Sequence, residues 1–168
     1  LNVGGFRIVT TFDKNAQAAA VESVKSSGVS DEKGLRIGLT SVKTDTGEVI
    51  AMYGGADYLK NQLSNADQAV GLAGSTFKPF ALAAAFEDGI DLSSTWDGSS
   101  PRTIRGYKLK NEGNVSYGNI SLLTATEKSV NTVFVDMAGK VGVDKVKDSA
   151  IRAGVPANTV GLVADPTT

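Results

Sequence analysis

The first apolar and polar positions of the chain predict a strand that leads into a helix. Residues 6–12 alternate between apolar and polar side chains and are rich in β-branched and aromatic types, which is typical of a strand. Asp13 can then cap a helix over roughly 14–25, where Ala and Val residues supply an apolar face. We therefore expect a strand followed by a helix at the start of the chain.

A hairpin is predicted next. Two apolar stretches, 35–42 and 48–53, lie on either side of Thr44-Asp45-Thr46-Gly47, a sequence typical of a tight turn between antiparallel strands. The following residues, 57–69, are polar and show no clear period. This part of the chain is expected to be a connection.

The second half of the chain predicts mainly helices. Residues 75–86 are apolar on nearly every side, which predicts a buried helix. Residues 87–117 are rich in Gly, Ser and Asp, and their basic side chains are typical of a solvated surface. Those basic residues, to which we assign no function, are Arg102, Arg105, Lys108 and Lys110. Further helices are predicted at 122–128, 132–140 and 143–153.

Composition limits the classes of function. The 168 residues, 41% of them hydrophobic, are enough for one compact core, and a single domain is expected. A net charge of -1, from 17 basic and 18 acidic residues, gives no electrostatic reason to expect nucleic acid as a partner. The apolar stretch at 70–85 is interrupted by Lys78, so we expect no membrane span or signal peptide.

The chain has no His and no Cys, which limits its possible chemistry. It cannot form a Ser-His-Asp triad, a Cys-His pair, a disulfide or the usual zinc sites, and we expect neither a metal nor another cofactor. A serine nucleophile would need another base. Lysine is the candidate, because burial makes its amine lose the proton readily, whereas arginine stays charged.

Ser75-Thr76-Phe77-Lys78 supplies such a pair. Residues three apart on a helix share a face, so the Ser75 hydroxyl and the Lys78 amine could form a hydrogen bond near the helix start. Gly74 allows a sharp turn before the serine, and the apolar neighbours predict partial burial of the lysine. The helix start would also offer backbone N–H groups to an oxyanion.

The spacing alone is weak, because Ser30-Asp31-Glu32-Lys33 also satisfies it. In that copy the carboxylates beside Lys33 would favour a charged amine, so we interpret it as accidental. A second motif, Ser129-Val130-Asn131, offers a hydroxyl that can relay a proton and an amide that can hold a substrate. Ser-x-x-Lys followed by Ser-x-Asn is a known signature of serine acyl-transfer enzymes.

With these motifs the chain resembles the transpeptidase domain of class A, bifunctional penicillin-binding proteins. The resemblance implies an α+β fold of the penicillin-binding and serine β-lactamase type, in which an antiparallel sheet accompanies a helical subdomain. Other matching segments follow the family order. They are Ile8 to Asp13, Thr46 to Gly55 with Asp57-Tyr58, Gly74 to Phe80, and Tyr117 to Leu122 leading into Ser129 to Thr132.

The resemblance implies D-Ala-D-Ala transpeptidation of peptidoglycan stem peptides, with β-lactams as covalent inhibitors. Carried over by resemblance, Ser75 is the acylated nucleophile, Lys78 its base, Ser129 the proton relay to the leaving amine and Asn131 a substrate contact. It also implies a location on the extracytoplasmic face of the bacterial cell membrane.

Two departures from the family pattern stand out. Ala73 lies where relatives often have Pro, and the family's downstream Lys-Thr/Ser-Gly motif is absent. We therefore expect residues 1–168 to be the N-terminal portion of one transpeptidase domain. The predicted strands are too few to cover a buried helix, so the rest of that domain, as a second chain, would complete the sheet.

Two alternatives remain open at this point. A serine β-lactamase would share the acylation chemistry but would need a base for water, and Glu127 is more typical of an exposed helical residue. A non-catalytic penicillin-binding sensor or interaction domain would keep the scaffold without turnover.

Overall fold

The computed structural model describes residues 4–29 and 34–165, which form two compact units. The first unit ends at Gly71 and the second begins at Leu72. Each unit contains helices and antiparallel strands. The expectation of a single domain over 1–168 stays a prediction.

Among the described residues of the first unit, the regular structure consists of one helix and one hairpin. Helix α1 (Lys14–Ser26) begins as predicted after Asp13, whose carboxylate accepts a hydrogen bond from the Ala16 N–H at 2.8 Å. Strands β1 (Leu39–Val42) and β2 (Val49–Tyr53) pair antiparallel around the predicted turn. The predicted helix and hairpin are therefore confirmed.

Gln17 joins the helix to the hairpin. Its side-chain amide donates to the Met52 carbonyl at 2.8 Å and accepts from the Met52 N–H at 2.9 Å. This pair of bonds satisfies backbone groups of β2 that face away from β1. A polar side chain on α1 thus fixes how the helix lies on the strands.

The predicted strand at 6–12 is wrong, because these residues form no ladder with any described strand. Only the end of the segment meets β2, where Thr11 Oγ1 donates to the Val49 carbonyl at 2.6 Å. Its apolar side chains are exposed, Val9 by 81%. An alternating pattern identifies a strand only where a partner satisfies its backbone, and no described strand pairs with this segment.

The second unit contains most of the helices. It begins with a 3₁₀ turn at Gly74–Phe77, which runs directly into helix α2 (Lys78–Glu87). The remaining elements, in chain order, are β3 (Thr95–Asp97), β4 (Arg102–Ile104), β5 (Tyr107–Leu109), a 3₁₀ turn at Glu112–Asn114, β6 (Asn119–Ser121), α3 (Leu122–Glu127), α4 (Asn131–Val141) and α5 (Val143–Arg152). Strand β3 pairs with β6, and β4 pairs with β5.

The core of this unit surrounds helix α4. Val133 and Met137 on α4 are completely buried, as is Leu122 at the start of α3. Helix α2 presents small side chains, including Ala84 and Ala85, to this core and packs against α4 and α5. Small side chains let helix axes approach closely, which brings the first turn of α2 near the start of α4.

The predicted burial of the apolar helix holds for one face only. Ala81, Ala84 and Ala85 are buried, whereas Phe86 is 46% exposed. The helices predicted after residue 121 are confirmed within one or two residues at each end. Strands β3, β4, β5 and β6 were not expected, because three-residue strands are too short to show a period.

The basic run at 102–110 has structural contacts. Arg102 lies 3.2 Å from a carboxylate oxygen of Asp97 and 3.5 Å from one of Asp136. Arg105 donates to the Gly139 carbonyl on α4. These two side chains help to hold the β4–β5 hairpin against α4. Over the part of the chain that the structure describes, no helix is long and apolar enough to cross a membrane.

Truncation of Leu122 tests the assigned core. We expect Leu122→Ala to lower the free energy of unfolding by about 2–5 kcal/mol, because it leaves a cavity among fully buried side chains. Leu123→Ala is the matched control, since Leu123 is 57% exposed, and it should change stability by less than about 0.5 kcal/mol. Urea unfolding followed by fluorescence of the single tryptophan, Trp96, measures both. Equal losses would contradict this core.

Candidate active site

Ser75 lies in the 3₁₀ turn that begins the second unit. Gly74, directly before it, has a φ of 55°, in the left-handed region that glycine adopts without steric cost. Thr76 Oγ1 donates to the Ala73 carbonyl at 2.5 Å and holds this turn. The Ser75 side chain is exposed, so its hydroxyl is accessible to a substrate.

Lys78 is the first residue of α2 and turns back toward the serine. Its Nζ lies 3.1 Å from Ser75 Oγ, as the spacing predicted. The residue is half-buried, and Nζ lies 5.4 Å from the centre of the Phe134 ring. Burial lowers the pKa of Lys78 below the ordinary lysine value, because the charged form loses solvation.

Ser129 reaches the same amine from the link between α3 and α4. Its Oγ lies 2.8 Å and its carbonyl oxygen 2.7 Å from Lys78 Nζ. Ser129 has a φ of 52°, which is uncommon for a residue with a side chain. This backbone conformation lets both oxygens of Ser129 face Lys78, and strain of this kind is often found at functional sites.

Asn131 is the first residue of α4 and completes the group. Its Oδ1 lies 2.7 Å from Lys78 Nζ, and its Nδ2 donates to the Lys110 carbonyl at 3.1 Å. The structure therefore brings the four sequence-predicted residues together: Ser75, Ser129 and Asn131 all contact the Lys78 amine.

The protonation state of Lys78 decides what this cluster can do. A lysine ammonium has three N–H donors, and the oxygens of Ser75, Ser129 and Asn131 all lie within hydrogen-bond distance of it. A neutral amine has two donors and one lone pair. Two neighbours can then accept while the Ser75 hydroxyl donates to the lone pair, which is the arrangement of a nucleophile and its base.

A groove of about 360 Å³ opens beside the cluster. Its lining residues include Ser75, Lys78 and Asn131 together with apolar side chains of α4 and α5. Among its lining residues, Asp165 carries the only carboxylate, and this group accepts a hydrogen bond from the Tyr107 hydroxyl at 2.9 Å. The groove can receive an extended ligand with its reactive carbonyl at Ser75.

The other candidates from the sequence have different outcomes. The second Ser-x-x-Lys copy, Ser30 to Lys33, lies outside the described residues. Glu127 is exposed and lies 2.8 Å from the amine of Lys128 in an ion pair, as expected for a surface residue. Within residues 4–29 and 34–165, no group of three or more acidic side chains is arranged to hold a metal.

Sequence reasoning missed Asn111. This residue is only 4% exposed, and its side-chain oxygen accepts the Thr132 N–H at 3.0 Å in the first turn of α4. An asparagine in a stretch rich in Gly, Ser and Asn is most simply a turn residue, so nothing in the local sequence distinguishes it. Only the return of the chain against α4 reveals its contacts.

The chain matches the family model of the penicillin binding protein transpeptidase domain over residues 38–161. Penicillin-binding protein 1A from Mycolicibacterium smegmatis is 34% identical over 165 residues, which is 96% of this chain and 20% of that relative. Penicillin-binding protein 1A from Mycobacterium tuberculosis is 35% identical over the same shares of the two chains. The chain thus spans about a fifth of the length of these curated relatives.

Solved structures show the same fold. The penicillin-binding protein PonA1 from Mycobacterium tuberculosis superposes with a TM-score of 0.80 at 33% identity, covering 95% of this chain and 41% of that one. The resemblance found in the sequence and the α+β fold that it implied are confirmed. The chain belongs to the penicillin-binding protein transpeptidase domain family.

Proposed function

We propose that this chain carries the nucleophilic half of a D,D-transpeptidase that cross-links peptidoglycan stem peptides through a serine acyl-enzyme. The observation that carries the proposal is the approach of Lys78 Nζ to 3.1 Å from Ser75 Oγ, with Ser129 and Asn131 on the same amine. Family membership supports it. A solved relative, PonA1 from Mycobacterium tuberculosis, forms a complex with penicillin V.

Acylation begins with transfer of the Ser75 hydroxyl proton to the neutral amine of Lys78. The resulting Oγ attacks the carbonyl carbon of the penultimate D-Ala, and the carbonyl oxygen becomes an oxyanion near the start of the helix. When the tetrahedral intermediate collapses, the C–N bond to the terminal D-Ala breaks. The leaving amine takes its proton from Ser129 Oγ, which Lys78 reprotonates across 2.8 Å.

The second half of the reaction reverses these proton transfers. An amine on a neighbouring stem peptide attacks the acyl carbon and loses a proton through Ser129 to Lys78. The ester bond to Ser75 breaks, and Oγ recovers its proton from Lys78. Asn131 would meanwhile hold the substrate backbone through its amide, which Lys110 already orients.

The proposal also names partners and a location. The donor and acceptor are stem peptides on the extracytoplasmic face of the cell membrane, and β-lactams acylate the same serine. We further propose that strands carrying the Lys-Thr/Ser-Gly motif, from the rest of the domain or a second chain, close the groove.

Labelling with a fluorescent penicillin tests the nucleophile. In the intact polypeptide that contains these residues, we expect Ser75→Ala to abolish covalent labelling, because Ser75 carries the exposed one of the two hydroxyls that lie beside the Lys78 amine. Ser30→Ala, in the second Ser-x-x-Lys copy, is the matched control and should label at the unchanged rate. Gel fluorescence and mass spectrometry of the labelled peptide give the readout. Labelling that survives in Ser75→Ala would overturn the assignment.

The pH dependence of acylation tests the base. Burial lowers the pKa of Lys78, so the neutral amine forms at a lower pH than in an ordinary lysine. The acylation rate should therefore rise with pH and level off below the ordinary lysine range. Lys78→Arg stays protonated and should lose at least about 100-fold at every pH. Stopped-flow acylation from about pH 5 to about pH 10 measures both.

A profile without this rise, or an Lys78→Arg variant that acylates at the rate of the unchanged protein, would contradict the assigned base. The Glu127→Gln variant is a useful control, because Glu127 is exposed and outside the groove. Its pH profile should match that of the unchanged protein.

The lifetime of the acyl-enzyme separates a transpeptidase from a β-lactamase. We expect slow release of the penicilloyl group and exchange of D-amino acids into a donor peptide, because the chain belongs to the transpeptidase family and Asp165, the carboxylate that lines the groove, already accepts a hydrogen bond from the Tyr107 hydroxyl. Liquid chromatography of released penicilloate and of exchanged peptide measures both. Fast hydrolysis that disappears in Asp165→Asn would instead favour a β-lactamase.

A further inference from the structure

We infer that Asn111 is a positioning residue for acyl transfer: it holds Lys110 and the start of α4 so that the Asn131 amide presents its oxygen to Lys78. The inference rests on the proposed function of that site. Asn111 itself touches none of the groups assigned to the reaction. Asn111 acts on the site through two residues: Thr132, to which it is hydrogen-bonded, and Lys110, which precedes it in the chain.

Every polar atom of the Asn111 side chain has a partner. Its Nδ2 donates to the Gly98 carbonyl at 2.9 Å and to the Val115 carbonyl at 3.0 Å. Its Oδ1 accepts from the Thr132 N–H at 3.0 Å and from Thr132 Oγ1 at 3.2 Å. Because Thr132 is completely buried and Asn111 almost so, water cannot replace these bonds.

The backbone of Asn111 is also held. Its N–H donates to Ser100 Oγ at 3.0 Å, and its carbonyl accepts from the Asn114 N–H at 3.0 Å. One residue therefore ties the loop after β3, the turn after β5 and the first turn of α4 together. A buried side chain with all its bonds formed has little freedom to move.

The surroundings allow only one orientation of the Asn111 amide. Two carbonyl oxygens, from Gly98 and Val115, lie on its nitrogen side. Two donors, both from Thr132, lie on its oxygen side. In a flipped amide, Oδ1 would face the two carbonyl oxygens and Nδ2 would face the Thr132 N–H. The Asn111 oxygen is therefore fixed in its direction toward α4.

Two covalent links carry this order to the site. Thr132 directly follows Asn131, and Lys110 directly precedes Asn111. The Lys110 carbonyl accepts from Asn131 Nδ2 at 3.1 Å. With its nitrogen held there, the Asn131 amide must turn its oxygen toward Lys78, where the distance is 2.7 Å. Asn111 thus fixes both ends of the contact that orients Asn131.

Asn111→Ala tests this role in the intact polypeptide with a fluorescent penicillin. The variant removes the two bonds to Thr132 and the two to the Gly98 and Val115 carbonyls. The segment that carries Lys110 then loses its side-chain link to the start of α4, so Asn131 and Lys78 lose their fixed geometry. We expect the acylation rate constant to fall about 10- to 100-fold, as is usual when a residue that orients a site is removed. The dissociation constant of the non-covalent penicillin complex should change much less.

Val141→Ala is the matched structural control. Val141 is buried at the other end of α4 and is not among the residues that line the groove. Both variants should lower the thermal unfolding midpoint, but below that midpoint Val141→Ala should acylate within about two-fold of the unchanged protein. Equal losses of rate in the two variants would overturn the inference, as would an unchanged rate in Asn111→Ala.

If Asn111→Ala does not fold, Thr132→Val decides the question. It removes the Thr132 hydroxyl bond to Asn111 Oδ1 and keeps the backbone one. We expect a several-fold loss in the acylation rate constant, and an unchanged rate would overturn the role of Asn111.

A second readout does not depend on catalysis. The pKa of Lys78, measured by NMR of ¹³C-labelled lysine, should rise toward the ordinary value in Asn111→Ala, because a looser site admits water. It should stay unchanged in Val141→Ala. If the unchanged protein fails to acylate, the proposed function is wrong, but this titration still tests the positioning role. A Lys78 pKa that is the same in Asn111→Ala as in the unchanged protein would overturn that role.

Discussion

The structure of the site depends on one constraint, the partial burial of the Lys78 amine. A lysine amine that is removed from water must either find hydrogen-bond acceptors for its charged form or lose its proton. The surroundings of Lys78 favour both outcomes. Ser75, Ser129 and Asn131 supply oxygens within 3.1 Å, while desolvation favours the neutral form. The same arrangement that stabilises the amine places it, with a lowered pKa, next to the Ser75 hydroxyl.

Three features of the second unit make this arrangement possible. The 3₁₀ turn at Gly74–Phe77 sets Ser75 one turn before Lys78, and small side chains on α2 let α4 approach. The left-handed backbone at Ser129 turns that residue toward the amine just before α4 begins. The site is therefore assembled from the ends of helices, whose packed middles provide the rigidity.

Much of this could be predicted from residues alone. Glycine, serine, lysine and proline at the start of α2 have local roles, and the helices have clear periods. The prediction of a strand at 6–12 was wrong because a strand, unlike a helix, needs a pairing partner that the local sequence does not specify. The role of Asn111 could not be predicted from the local sequence either, because its hydrogen-bond partners lie up to 21 residues away.

The sequence by itself determined which chemistry to expect: without His or Cys, a serine nucleophile would require an amine base, and the spacing of Ser75 and Lys78 predicted the pair. The residue types also determined the family. Only the tertiary structure decided that Ser129 and Asn131 reach that amine and that the buried Asn111 bonds to the first turn of the helix that carries Asn131. Bond chemistry is a property of single residues, whereas desolvation and hydrogen-bond geometry arise only when distant segments pack together.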